Sequence, residues 1–150
     1  MKKKIALSIT DHLLVCAIMK VQAFTHNFAE AHLKAKEESK TVMMIFSGSD
    51  WSKSCKILRK TILESSTFKN YAEQHLVMLK LDFPSKKKNR LSKAQQKHNQ
   101  QLINRYNPEG QFPLMLLLNQ QGRIIHKMDY NAQLKPEDYI SVIKKNLQVT

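Results

Sequence analysis

The chain has 150 residues but only three glycines, two cysteines and few acidic residues. Each shortage removes a class of function. Three glycines leave no Gly-rich loop of the kind that cradles a nucleotide's phosphates. Two cysteines cannot make a disulfide framework, and a four-cysteine zinc site needs twice as many. The longest uncharged apolar stretch near the start, residues 13–19, falls far short of the ~20 residues that span a bilayer. Twelve Asp and Glu face 25 Lys and Arg, so the net charge is +13 and the surface is basic. Against these absences, 42% hydrophobic and 25% charged residues are ordinary for a globular chain. The length suits one domain that buries roughly two-thirds of its unfolded surface.

The first 23 residues read as a degraded export signal. Lys2, Lys3 and Lys4 form a positive start, an apolar run begins at Ile5, and Val21 and Ala23 are residues a signal peptidase accepts. Asp11, His12 and Lys20 interrupt the apolar part, and Val15 is too large to precede a lipoprotein cysteine at Cys16. Cleavage after Ala23 leaves a domain of residues 24–150, exported to a periplasm or secreted, with Cys55 as its only cysteine. If the segment is instead a short amphipathic helix, the protein is cytoplasmic.

Further along, residues 28–38 are rich in Ala, Glu and Lys and predict a helix. Residues 42–46 form a short apolar run suited to a strand buried on both faces. A helix is expected over 52–64, with Ile57, Leu58, Thr61 and Ile62 on its inner face, and a shorter one over 67–74. Strands follow at 76–82, 114–118 and 123–129. A helix over 91–106 would bury Leu91, Ala94, His98, Leu102 and Tyr106. Pro136 opens a last helix with Tyr139, Ile140, Ile143 and Leu147 inward. The early strand–helix–strand unit must cross over right-handed, and the last two strands make an antiparallel hairpin. The expected class is α/β: a mixed four-stranded sheet flanked by helices, with an extra helix at the N-terminus.

One segment stands out, running from Phe46 through Gly48, Ser49, Asp50, Trp51 and Ser52 to Cys55. It lies where a buried strand hands over to a helix N-terminus, whose free N–H groups and dipole favour negative charge, a thiolate included. Lys53, Lys56, Arg59 and Lys60 add positive potential. Here the sequence resembles the thioredoxin superfamily, and more closely exported thioredoxin-like proteins whose first strand ends in a Gly-Ser-Asp-Trp turn. The resemblance covers nearly all of residues 24–150, including the element order, the Trp before the helix, and Phe112-Pro113 before the third strand. It implies a cis peptide bond at Pro113 and a substrate groove formed by Trp51, Phe112 and Pro113.

The departure from the family pattern, Trp-Cys-x-x-Cys, matters more. Ser52 occupies the place of the attacking cysteine and Cys55 that of the resolving one. Exchange needs a thiolate to attack a disulfide and a second thiol to resolve the mixed disulfide. A serine hydroxyl does neither at neutral pH. The family's buried acid six residues before the attacking cysteine falls on Phe46, so that assistance is also missing. Three explanations stay open: an engineered Cys→Ser change, a natural loss leaving a module that binds extended chains, or action of Cys55 as a lone thiol.

Other signals are weaker. Lys86, Lys87, Lys88, Arg90, Lys93, Lys97 and Arg105 form an acid-free block that could track phosphates, yet aromatic residues for stacking bases are missing from it. A solvated helix face accounts for it, with an anionic membrane surface or an acidic partner as the secondary reading. The six histidines show no metal-binding spacing, so neither metal nor cofactor is expected. Ser52 lacks a nucleophile elbow, and nothing around Cys55 resembles a cysteine protease. The partners implied are protein thiols and disulfides, or extended polypeptide.

Overall fold

The computed structural model describes residues 24–148, and the expected export segment with Cys16 lies outside them. Helix α1 (Phe28–Glu38) starts where Asn27 accepts the Glu30 N–H, and ends where Ser39 turns left-handed at φ 54°. Strand β1 (Thr41–Ser47) follows, then α2 (Lys53–Leu58), a π-helical turn (Arg59–Leu63) and α3 (Ser66–His75). Strand β2 (Leu76–Asp82), a 3₁₀ turn (Lys87–Asn89), α4 (Lys93–Tyr106), β3 (Leu114–Leu118), β4 (Ile124–Asp129) and α5 (Pro136–Leu147) complete the order.

The sheet runs β2-β1-β3-β4. β1 pairs parallel with β2 and antiparallel with β3, and β3 pairs antiparallel with β4. This is the thioredoxin fold, with α1 as the extra N-terminal helix. Alternation along β1 splits the core in two. Val42, Met44 and Phe46 join Val77, Leu79 and Leu116 on the α1–α4 side, whereas Met43 and Ile45 join Leu58, Phe68 and Tyr139 on the other. Thr25 covers the outer edge of β2 by exchanging hydrogen bonds with Met78 and Lys80, both at 2.9 Å.

Two helix faces differ from the sequence expectation. The segment after Cys55 is not one regular helix, because Glu64 N–H reaches back five residues to the Arg59 carbonyl at 2.8 Å. Ile57 and Thr61 are exposed, and the inner face is Cys55, Leu58, Ile62 and Leu63. Helix α4 begins two residues later than expected, with Ser92 as its cap. Ala94 is exposed and His98 half-buried, while Asn99 is buried with its amide donating to the Asp82 carbonyl at 3.0 Å. A polar residue lies inward because it satisfies a carbonyl at the end of β2, which apolar periodicity cannot register.

Ser39 carries the left-handed conformation that costs a residue with a Cβ about 1–2 kcal/mol. Ser39→Gly should raise stability by about 0.5–1 kcal/mol in urea unfolding, after the added entropy of the unfolded chain is subtracted.

Candidate functional site

β1 delivers the chain to one end of the sheet, where it must leave at Ser47. Gly48 to Ser52 make the turn, with Ser52 N–H donating to the Gly48 carbonyl at 2.9 Å. A Cβ at Gly48 would fall on the Trp51 indole, so glycine is required for close approach. Two carboxylates hold the turn. Asp82, at the end of β2, accepts from Ser49 N–H at 3.0 Å and Ser49 O–H at 2.6 Å. Asp50 reaches outward and accepts from Ser85 N–H, Lys86 N–H and the Asn89 amide at 2.9–3.0 Å. The Asn89 amide and the Ser85 N–H lower its pKa from 3.8 to about 2.

Ser52 is the N-cap of α2 and its hydroxyl accepts the Cys55 N–H at 3.2 Å. Cys55 is 5% exposed, and its Sγ accepts the Gly48 N–H at 3.4 Å. It lines a small cavity, ≈ 30 Å³, with Ile45, Ser47, Arg59, Lys80 and Pro113. The Phe112–Pro113 bond is cis. Phe46 does not face this cavity. Its ring packs into the α1–α4 core, and Ile45 and Ser47 are the β1 residues beside the thiol. One residue along a strand exchanges the faces, which puts Phe46 on the side of β1 away from the thiol. No carboxylate among the described residues lines the cavity.

Trp51 is 49% exposed and forms a ridge with two phenylalanines. Its indole meets the Phe112 ring edge-on at 5.3 Å, and Phe112 meets Phe83 likewise at 5.4 Å. The indole N–H donates to the Phe83 carbonyl at 2.8 Å. The five residues expected at the site, Trp51, Ser52, Cys55, Phe112 and Pro113, thus come together at one end of the sheet. Phe83, Asp82 and Lys80 were not anticipated. Their only signal was position, since Lys80, Asp82 and Phe83 sit at the end of a strand predicted to lie beside β1.

A thioredoxin-like family model matches residues 23–119. The chain is 32% identical over 123 residues to the disulfide bond reductase DsbH of Chlamydia pneumoniae, covering 82% of this chain and 72% of that protein. The chain belongs to the thioredoxin-like family of thiol–disulfide oxidoreductases. Among solved family members, the DsbH oxidoreductase superposes with a TM-score of 0.76 at 30% identity, over 87% of this chain and 88% of that one. The thioredoxin-related protein DsbJ of Chlamydia pneumoniae is 29% identical over 102 residues, which are 68% of this chain and 28% of DsbJ. The C-terminal domain of Neisseria meningitidis DsbD in its oxidised form shares the fold, with a TM-score of 0.58 at 18% identity over 83% of this chain and 99% of that domain.

Because the Asp50 pKa is depressed in the folded state, its contribution to stability is present above the unfolded value of 3.8 and is lost as pH falls towards about 2. The stability gap between the parent and Asp50→Asn should stay level from neutral pH down to about 5 and shrink below 3.8. Urea unfolding monitored by Trp51 fluorescence at stepped pH measures it.

Proposed function

We propose that this protein is an exported member of the family that receives an extended polypeptide on its aromatic ridge, with dithiol exchange disabled at residue 52. The observation that carries this reading is the hydroxyl of Ser52 at the helix cap, with the buried thiol of Cys55 behind it. In an intact relative, a thiolate at position 52 attacks one sulfur of a substrate disulfide and expels the other as a thiolate. The Cys55 thiolate then attacks the sulfur at 52, releasing the reduced substrate and leaving a 52–55 disulfide for an external reductant. Serine lacks the sulfur that the first step joins and the second attacks. Cys55 alone, 5% exposed, is poorly placed to meet a protein disulfide.

The substrate side of the site is intact. Trp51, exposed, and Phe112, half-buried, supply apolar contact, Pro113 lies buried beside Cys55, and the backbone at Phe112 pairs with an extended strand. The relative's designation as a reductase favours reduction as the direction the scaffold serves. Export is supported by the character of residues 1–23. The second reading, favoured by the exposed Trp51, is a non-catalytic module that holds extended or unfolded chains.

Disulfide-reductase turnover with dithiothreitol as electron source separates the two. The parent should stay at background and Ser52→Cys should rise at least about a thousandfold above it, as expected when a nucleophile is restored. Ser52→Cys should also form a reversible 52–55 disulfide, seen as the loss of two titratable thiols on oxidation. A silent Ser52→Cys protein would leave the binding module, and an active parent would show that Cys55 works alone.

A further inference from the structure

We propose that the cleft beside the aromatic ridge is a subsite for an acidic side chain, so that this protein selects extended polypeptides carrying Asp or Glu next to the segment over Trp51. The inference rests on the groove reading above and adds the class of chain the groove takes.

The cleft, ≈ 280 Å³, lies between the segment after β2 and the side of α4, and Phe83, Lys86, Arg90, Gln96 and Gln100 are among its walls. Phe83 joins it to the ridge, since its ring packs on Phe112 and its carbonyl holds the Trp51 indole. A chain lying across Trp51 and Phe112 therefore lies beside Phe83, which is also a wall of the cleft. Two cations, Lys86 and Arg90, line the cleft, and Lys87 and Lys88 lie exposed between them in sequence.

This positive charge has no internal counterpart of equal size. Residues 83–108 contain no Asp or Glu. The ion pairs among the described residues, Lys40–Glu38 and Arg59–Glu64, involve neither Lys86 nor Arg90. The two nearby carboxylates are committed to the turn: Asp82 lines the cleft but its oxygens take Ser49 and Phe83 N–H, and Asp50 takes Ser85, Lys86 and Asn89. Lys86 does add an attraction to Asp50, which leaves Arg90 as the freer cation. The same Asp50 bonds fix the 3₁₀ turn, so the cations sit on an ordered platform and less entropy is lost on binding. The planar Arg fork matches a carboxylate in two-point contact.

The full chain contains one tryptophan, Trp51, so its emission reports occupancy of the ridge directly. The probes are blocked, cysteine-free ten-residue peptides with one apolar centre flanked by Glu, Ser or Lys. At low salt the Glu-flanked peptide should bind about three- to tenfold more tightly than the Ser-flanked one, and the Lys-flanked one most weakly. The spread should collapse at about 0.5 M salt. K86E/R90E should reverse the order, whereas K36E/K145E, which makes the same charge change outside the cleft, should not. Because Glu at 86 would also face Asp50, K86Q/R90Q serves as the milder variant and should erase the preference without reversing it.

Equal affinity for the three peptides, or the same reversal by K36E/K145E, overturns the subsite and leaves the groove reading standing. Peptides without preference, together with binding to phosphatidylglycerol vesicles that K86E/R90E abolishes, overturn it in favour of a membrane-facing surface. No Trp51 response to any peptide overturns the groove reading and the subsite with it.

Discussion

β1 is enclosed on every side: β2 and β3 satisfy its backbone, and its side chains alternate into two separate cores. A strand held this way has a fixed register, because sliding by one residue would exchange every contact on both faces. It also has nothing to offer solvent. Chemistry becomes possible only where the chain leaves the sheet at Ser47, and the direction of exit is settled by the parallel partner, β2. Asp82 at the end of β2 takes hold of Ser49 as the chain emerges. The site is thus an outcome of pairing a buried strand with a neighbour that ends in an acid.

In a basic protein the two acids at this turn act as hydrogen-bond acceptors more than as charges. Asp82 secures the turn from below and Asp50 ties the loop after β2 to it. Between them they place Trp51 against Phe83 and Phe112, with Gly48 giving the indole room. Serine is among the best N-cap residues, and Ser52 makes the cap bond to Cys55 N–H. Serine at this position therefore holds the start of α2 in place through its own side chain.

Much of this was legible beforehand. α1, β2 and β3 fall on their expected residues, because each combines a clear period or apolar run with strong end signals. The misses share a cause. Ile57 and Thr61 fall outside the inner face after Cys55, α4 turned Asn99 inward to reach a carbonyl, and Phe46 lies on the side of β1 away from the thiol. Each is a case where a single residue of rotation or register decides which face is buried. Periodicity carries no information about the distant partner that settles the phase.

The sequence by itself determined the class of fold, the turn from Gly48 to Cys55 and the presence of serine rather than cysteine at position 52. These follow from local pattern, short-range geometry and the identity of single atoms. Only the tertiary structure decided that Phe83 completes the aromatic ridge, that Ile45 and Lys80 flank the buried thiol, and that Asp50 anchors the basic loop beside it. Those residues lie about 30 or more positions apart along the chain, from Asp50 to Phe83 and from Phe83 to Phe112, and pairing of the strands is what brings them together.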